Sequence, residues 1–544
     1  MKRRKFIKLS ATASVIGLTP FEIQAMLKPL LPLVECPDIS NRKLVLINLS
    51  GGNDGLNTII PLNQYDIYST LRPKIKVPQS GSNAYITLDA SLPDNQKIGL
   101  NPALTGFKGL YDEGWLRILQ GVGYPSQNKS HFKSTDLYLT GNDGNSVENG
   151  TDTGWIGRFM ELFYAKDVTS LFPLAIEIGS NKSSLGFHGE QEHGMAINIT
   201  GQDVAGYYSI LNGLGGTPPE NIPMSDYGNQ IEFIKTTDAL SNQYAKTIST
   251  SFNSGSNKIT YPDTNIANQL KTVARLISGN LETKVYMVQL GGFDTHNNQV
   301  QGDNDPLGNH YKLLSQLSEA VTAFYSDLDS QSLSDDVVGI TFSEFGRKAA
   351  ENGNFGTDHG EIAPMFLFGK PIKGGVSGVN PDLKEAVKEN NYQLKTVQFD
   401  YRQTFGTILQ DFLGVPNATI DAAFFNYSTN ESFNDSKIVE LVKDTFTVST
   451  ACINNEDTTP ESPDEEKALN NTEFMHRASE CLWYIHSRQS INMSDSLMAE
   501  YLNTIDRSRA YLDYNSKLGG NVFRGKDFDE YESSCTFDPD LMED

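Results

Sequence analysis

Three largely apolar runs, each followed by a polar turn, place the strongest constraint on how this chain folds. They cover residues 43–49, 284–290 and 337–342. The turns that follow are Ser50-Gly51-Gly52-Asn53-Asp54, Gly291-Gly292-Phe293-Asp294-Thr295-His296 and Ser343-Glu344-Phe345-Gly346-Arg347. Continuous rather than alternating apolar runs are typical of strands buried on both faces of a parallel sheet. Residues beyond the carboxyl ends of such strands converge on one crevice, where ligands bind.

Helical periodicity appears between the strand-like runs. Apolar residues recur at helical spacing through residues 266–277 and 313–328, and further strand-like runs cover 116–122, 171–178 and 365–368. Helices that alternate with buried strands are typical of βαβ units. The sequence therefore predicts an α/β fold with a mostly parallel sheet sandwiched by helices.

The composition suits a globular protein that carries a strong negative charge. The chain has 544 residues, 38% of them hydrophobic, and a formal net charge of −23. This length allows one large domain with additions, or two to three ordinary domains. The charge argues against nucleic acid and anionic membrane surfaces as partners.

The chain begins with features of an export signal. Basic residues up to Lys8, including Arg3-Arg4, precede a short, weakly apolar stretch at 9–18. This order resembles a twin-arginine signal and predicts a periplasmic or extracellular protein, the alternative being a basic disordered tail. No later run is long and apolar enough to span a bilayer. Four cysteines allow one or two disulfides in such a compartment.

Composition changes along the chain suggest its domain organisation. We expect a signal segment at 1–30, an α/β domain at 40–435, an acidic linker at 453–468 and a helical C-terminal appendage at 470–544. Residues 180–262, rich in Gly, Ser, Asn and Thr, are predicted to be an insertion, either a cap over the substrate or a surface elaboration. The appendage is a candidate site for a protein partner.

Acids and histidines in the predicted crevice suggest a metal site. Asp294 and His296 follow one strand, and His359 precedes the apolar run at 365–368. Carboxylate oxygen and imidazole nitrogen together suit Zn²⁺, Mn²⁺ or Fe. The alternative for a strand-end histidine is a structural hydrogen bond. We expect Asp358 to support His359 by fixing its tautomer rather than to bind the ion itself.

Two further strand-end turns carry candidate site residues with structural alternatives. Asp54 lies in a glycine-rich turn and is either a metal ligand or a residue that bonds its own backbone. Glu344 is a candidate metal ligand. Arg347 is a candidate for holding an anionic substrate oxygen. The alternative for Glu344 and Arg347 is a structural ion pair.

Ser130 is the candidate nucleophile. It opens a predicted helix, where it is either a cap or a nucleophile at the positive end of the helix dipole. A metal beside the hydroxyl would lower its pKa without a Ser-His-Asp triad. Ser134 and Thr135, one turn further on, remain alternatives.

Six motifs occur in order along the chain. They are Asn48-Leu49-Ser50-Gly51-Gly52-Asn53-Asp54-Gly55-Leu56-Asn57, Ser130-His131-Phe132, Gly154-Trp155-Ile156-Gly157-Arg158, Gly292-Phe293-Asp294-Thr295-His296, Ser343-Glu344-Phe345-Gly346-Arg347 and Gly356-Thr357-Asp358-His359-Gly360. This set resembles the exported DUF1501 family, whose fold is in turn similar to the alkaline phosphatase and sulfatase superfamily. The resemblance covers roughly residues 40–430 and implies two metal ions beside a Ser or Thr nucleophile.

The resemblance to the superfamily is close at some site positions and weaker at others. Asp54, Asp294 and His359 match metal ligands of the superfamily, and Ser130 matches the nucleophile by order. In the superfamily, a partner histidine usually lies four residues after the aspartate that Asp294 matches, whereas His296 lies only two residues after Asp294. Glu344 stands where the superfamily has an aspartate. The histidine expected next is Phe345 here.

The sequence thus predicts an exported hydrolase of phosphate or sulfate esters, acting on a small-molecule or polymer substrate. One ion, Zn or Mn, would be held by Asp294, His296 and His359, and a second, weaker site would use Asp54 and Glu344. Ser130 would form a covalent intermediate while Arg347 orients the anion. Two alternatives remain, a non-catalytic binding or assembly protein with a degenerate site and a mononuclear enzyme whose nucleophile is a metal-activated water.

Overall fold

A computed structural model describes the central part of the chain. The predicted signal segment, acidic linker and C-terminal appendage lie outside the described residues, as do all four cysteines and most of the predicted insertion. All described residues belong to one compact unit, Ile39–Thr447. They are 41–145, 153–164, 172–179, 185–187, 189, 196–199, 244–303, 305–425 and 437–443.

Within these ranges, nine strands form the main sheet in the order β11-β5-β10-β9-β1-β8-β6-β7, with β12 also paired to β5. A second, three-stranded antiparallel sheet has the order β2-β4-β3. The strands are β1 Lys43–Ser50, β2 Ile59–Pro61, β3 Ile86–Thr87, β4 Ile98–Leu100, β5 Leu116–Gly123, β6 Ala175–Ile178, β7 Ala196–Ile199, β8 Val285–Gly291, β9 Val337–Phe342, β10 Ala363–Phe368, β11 Gly375–Ser377 and β12 Phe399–Asp400.

Helices cover both faces of the main sheet. The α-helices are α1 Gly55–Thr58, α2 Tyr65–Leu71, α3 Thr105–Asp112, α4 His131–Thr140, α5 Trp155–Phe163, α6 Asn265–Ser278, α7 Asn309–Ser330, α8 Tyr401–Asp411 and α9 Asn417–Ile420. Residues 244–254 are also helical. Short 3₁₀ turns occur at Leu62–Gln64, Asp94–Gln96, Leu185–Phe187, Ser334–Asp336, Leu383–Glu385 and Lys388–Asn390, and a π-helical turn at Asp421–Phe425.

Strand β1 shows why its sequence run is continuously apolar. Val45, Ile47 and Leu49 pack into the core that contains α3, α6 and α7. Leu44 and Leu46 alternate with them and pack into the core that contains α4, α5 and α8. Because successive side chains in a strand point to opposite faces, both faces of this strand are buried. The predicted α/β sandwich is confirmed.

One strand of the main sheet, β10, runs against all the others. It pairs antiparallel with β5 and with β9, whereas the remaining pairs are parallel. Its N-terminal end therefore lies at the edge where β1, β5, β8 and β9 end. The turns after those strands and the loop before β10 consequently meet at one edge, which collects the predicted site residues.

Within the described ranges, no helix has both the length and the apolarity that a bilayer crossing requires.

Candidate metal centre

Three histidines surround one oxygen of Asp294. The Nε2 atoms of His131, His296 and His359 lie 3.5, 3.2 and 3.3 Å from Asp294 Oδ1. His131 begins α4 after β5, His296 follows β8, and His359 lies in the loop before β10. The structure thus brings together the predicted residues Asp294, His296 and His359 and adds His131, which the sequence analysis did not assign as a ligand.

The far nitrogen of each imidazole has an oxygen partner. His131 Nδ1 lies 2.8 Å from Glu344 Oε1, and His359 Nδ1 lies 2.8 Å from the Lys129 carbonyl oxygen. His296 Nδ1 lies 3.3 Å from Asp358 Oδ1. Carbonyl and carboxylate oxygens only accept, so each Nδ1 must donate. In the neutral form of each imidazole, Nε2 is then unprotonated and faces Asp294.

Lone pairs that converge in this way repel one another unless a cation or a proton lies between them. The Nε2 atoms of His296 and His359 are only 2.9 Å apart. His131 Nε2 is buried without a hydrogen-bond partner. One ligand atom each from His131, Asp294 and His359 lies within 4.8 Å of the others. Imidazoles oriented by carboxylate or carbonyl partners, beside a carboxylate, match the donor set of a Zn²⁺-type ion.

The ionisation of Asp294 favours cation binding. Burial raises the pKa of Asp294, but the hydrogen bond and charge of Arg347 outweigh burial and keep the pKa below its usual value. The hydrogen bond to Glu344 raises the pKa of His131 despite partial burial, whereas burial lowers the pKa of His359. Asp294 is consequently ionised at neutral pH, and 49% of its side chain is exposed, so an ion can reach it.

Arg347 has a different role from the predicted one. Its side chain is fully buried, and Nη2 donates to Asp294 Oδ1 at 2.6 Å. Nε donates to the Gly52 carbonyl at 2.8 Å, Nη1 to the Thr357 carbonyl at 2.8 Å, and Nη2 also to the carbonyls of Gly51 and Phe293. A guanidinium engaged by these protein oxygens ties the strand-end turns together and faces away from solvent, so it does not reach a substrate anion here.

Asp54 lies outside the cluster because another side chain engages it. Its Oδ2 and Oδ1 lie 2.6 and 2.9 Å from Nη1 and Nη2 of Arg72, and Gln299 Nε2 donates to Oδ2. Burial raises the pKa of Asp54, but the charge and hydrogen bonds of Arg72 outweigh it and hold the pKa low. Both partners are fully buried. The structure thus gives Asp54 an internal ion pair in place of the predicted second metal.

Glu344 and Asp358 support histidines. Glu344 Oε1 contacts the Nδ1 of His131, so the carboxylate lies behind the ring and not at its metal-facing side. Asp358 contacts His296 rather than His359, and its other oxygen lies 3.1 Å from Lys348 Nζ. The tautomer support predicted for His359 comes instead from the Lys129 carbonyl.

Phe345 forms an apolar wall behind the histidines. Its buried ring lies 4.8 Å from the ring of His131 and 4.6 Å from that of His359, centroid to centroid. A phenyl ring has no atom that binds a metal. At the position where the resemblance implies a ligand histidine, Phe345 therefore only packs against its neighbours. This arrangement favours one ion over two.

The serines near the cluster differ in access. Ser130 is exposed at the start of α4, and its hydroxyl makes no capping hydrogen bond. Ser134 is buried, and its hydroxyl donates to the Glu344 carbonyl at 2.5 Å. Of these two, Ser130 keeps a hydroxyl available for attack, and Ser134 does not.

A buried histidine below the site predicts acid sensitivity. His310 Nε2 donates to Asn53 Oδ1 at 2.9 Å, and burial lowers the pKa of His310 to about 4. Below the ordinary pKa of about 6.5, the unfolded chain takes up a proton that the folded chain refuses, so the free energy of unfolding should fall between pH 6.5 and 4 by on the order of 3 kcal/mol. Urea unfolding across this range measures the fall. His310→Gln, which keeps an N–H donor, should remove this contribution, and an unchanged pH slope would contradict it.

No curated protein matches the chain significantly in sequence. Similar solved structures include an alkaline phosphatase superfamily protein from Vibrio parahaemolyticus, at 10% identity over 62% of each chain and a TM-score of 0.28. Another is the PsFucS1 sulfatase from Pseudoalteromonas sp., at 11% identity over 74% of this chain and 73% of that one, with a TM-score of 0.31. Scores at this level do not assign a reaction.

A third similar structure is the C-terminal periplasmic domain of EcEptC from Escherichia coli, at 8% identity over 71% of this chain and 86% of that one, with a TM-score of 0.33. In sequence, residues 239–417 match the family model described as a protein of unknown function, DUF1501. This segment contains Asp294, His296, Glu344 and His359. The resemblance to DUF1501 predicted from the motifs is thereby confirmed, and the matching segment supplies most of the candidate metal centre.

Proposed function

We propose that the protein is an exported, metal-dependent hydrolase of phosphate or sulfate esters. The observation that carries the proposal is the convergence of three Nε2 atoms on Asp294 Oδ1 while each Nδ1 faces an oxygen acceptor. His131, His296, His359 and Asp294 would hold one divalent ion. The twin-arginine pattern at residues 1–18 supports export.

The charges around the cluster favour an anionic substrate. Arg347 lies 2.6 Å from Asp294 and neutralises its carboxylate, and Lys348 lies 3.1 Å from Asp358 and balances that one. Glu344 adds one negative charge behind His131, and Lys129 and Glu361, beside His359, pair with each other at 3.0 Å. A divalent ion would therefore leave the exposed side of the centre positive, which attracts a phosphate or sulfate oxygen. This attraction acts only near the site, because the whole chain carries a negative net charge that repels anions.

Ser130 is the nucleophile that the geometry supports best. It directly precedes His131, is exposed, and lies at the start of α4, where the helix dipole stabilises an anion. A bound ion would supply Lewis acidity that polarises the ester and lowers the pKa of a nearby hydroxyl. Ser130 Oγ would attack the phosphorus or sulfur atom and expel the alcohol, and water would then hydrolyse the enzyme ester.

The proposal predicts bound metal and metal-dependent hydrolysis together. Purified protein should hold about one Zn or Mn per chain, in keeping with four convergent donors. Elemental analysis measures the metal. Assays with p-nitrophenyl phosphate and p-nitrophenyl sulfate, before and after chelation and metal return, measure the activity. A folded protein that refuses metal would overturn the proposal.

Substitution of Ser130 distinguishes attack by the serine hydroxyl from attack by a water molecule. Ser130→Ala should retain the metal and lose at least about 100-fold in the rate of ester hydrolysis, since the covalent route is gone. Ser82→Ala, at an exposed serine outside the site, serves as the control. Retention of most activity in Ser130→Ala would instead assign the attack to water.

Phe345 supports a second candidate, a non-catalytic exported binding or assembly protein on the same fold. Its ring fills the position of an expected ligand histidine. Under this hypothesis the metal site is degenerate, so the folded protein would bind little or no metal and hydrolyse neither ester. The combined metal and ester measurements therefore distinguish the two candidates.

A further inference from the structure

We propose that Glu344 is a positioning residue that sets His131 and helix α4 against the sheet, rather than a ligand. The inference rests on the metal centre of the proposed function. Glu344 follows β9, whereas His131 begins α4, so their contact joins two separate elements of the fold. The contact has two parts, one through the carboxylate and one through the backbone carbonyl of the same residue.

The carboxylate of Glu344 joins the histidine to the turn after β1. Oε1 lies 2.8 Å from His131 Nδ1 and accepts from the Gly51 N–H at 2.9 Å. Gly51 has a φ of +122°, and a Cβ there would approach Asp294 N to 2.3 Å. That turn is therefore packed directly against the backbone of Asp294. Glu344, itself buried, thus links His131 to the strand-end turn that touches the ligand aspartate.

The carbonyl of Glu344 holds the same helix at a second point. It accepts from Ser134 Oγ at 2.5 Å and from Gln127 Nε2 at 2.9 Å. Ser134 is three residues after His131 in α4, so both side chains lie on one helix face. Two contacts one turn apart fix both the rotation of α4 and its height along the sheet edge.

The two contacts of Glu344 hold His131 in position, and without His131 the site would lack one of its ligands. His131 is the ligand donated by α4, whereas Asp294 and His296 follow β8 and His359 precedes β10. The Nδ1 contact fixes the tautomer that leaves Nε2 free, and the negative carboxylate raises the basicity of the ring. If Glu344 were lost, His131 would be free to turn or change tautomer while the other ligands remained in place.

Two substitutions separate orientation from charge. Glu344→Ala removes the carboxylate contacts with His131, Gly51 and Ser343, whereas Glu344→Gln keeps an oxygen that can accept from His131 and Gly51 but removes the charge. Glu351→Gln is the matched control, because Glu351 likewise accepts backbone N–H groups, from Lys74 and Ile75. Zn²⁺ affinity is measured by competition with a chelator. The tautomer of His131 is read from imidazole ¹⁵N shifts in metal-free protein.

We expect Glu344→Ala to lose the Nδ1–H tautomer of His131 and to bind Zn²⁺ about 10–100-fold more weakly. Glu344→Gln should keep the tautomer and bind Zn²⁺ more weakly than wild type, and Glu351→Gln should match wild type. Unchanged affinity in Glu344→Gln would overturn the role of the charge, and an unchanged tautomer in Glu344→Ala would overturn the positioning. If Glu344→Ala fails to fold, Glu344→Gln still tests the charge, and the wild-type ¹⁵N shifts test the positioning, because a His131 without the Nδ1–H tautomer would overturn it. A wild-type protein that binds no Zn²⁺ would overturn the proposed function instead. The tautomer of His131 in metal-free protein would still test the contact between Glu344 and His131.

Discussion

Replacing His359 by alanine is expected to remove most of the bound metal while the protein stays folded. Its Nε2 lies 3.3 Å from Asp294 Oδ1 and 2.9 Å from His296 Nε2, at the centre of the cluster. Losing a direct donor should weaken Zn²⁺ binding beyond the about 10–100-fold typical of an outer partner. Elemental analysis and chelator competition measure the loss, and ester hydrolysis should fall with it. Circular dichroism should remain that of the native protein.

A second histidine provides the control for this substitution. His310 is fully buried and bonds Asn53, outside the cluster, so His310→Gln should keep the full metal content. Metal retained in His359→Ala at the wild-type affinity would remove His359 from the centre. Equal metal loss in both variants would indicate general damage to the fold.

Replacing Asp54 by alanine is expected to destabilise the protein strongly. The substitution leaves Arg72 charged and fully buried, with only neutral partners at the Lys348 and Ala349 carbonyls and at Asn57. Breaking one side of a buried ion pair costs about 3–5 kcal/mol. Urea unfolding measures the loss. Because the pKa of Asp54 is depressed in the fold, this stabilisation is present above its unfolded pKa and is lost as the pH falls further.

Two variants test the source of that loss. Asp112→Ala breaks the partly exposed pair of Lys108 and Asp112 and should cost less than about 1 kcal/mol. The double variant Asp54→Asn with Arg72→Met should be more stable than Asp54→Ala, because no uncompensated charge remains buried. A loss in Asp54→Ala no larger than in Asp112→Ala would show that the pair contributes little. Metal content in the folded fraction should stay at the wild-type level.

The sheet could be predicted from the sequence because its strands are buried on both faces. Leu44 to Leu49 read as one apolar run since both helical layers cover β1, and the same holds for β9. The reversed direction of β10 was not predicted. A run such as 365–368 carries no signal of direction, which depends on how a strand pairs in three dimensions.

The candidate metal centre could be predicted from the sequence only in part. Asp294, His296 and His359 follow or precede strands, so topology alone placed them near one edge. His131 stood in a quoted motif, but its role depends on Glu344 behind it, 213 positions further along the chain. The separation of Asp54 from the cluster depends on Arg72, a residue in a stretch with no motif. Pairings of this kind arise from packing, which periodicity and spacing do not encode.

The reversed strand has a consequence for how the centre forms during synthesis. His359 lies in the loop that enters β10. A nascent chain that has emerged only as far as β9 therefore has two of the three imidazoles, and it lacks the Lys129–His359 contact and the strand that joins β5 to β9. Under the proposed function, tight zinc uptake would therefore report that β10 has inserted between β5 and β9, and the ion would mark completed assembly.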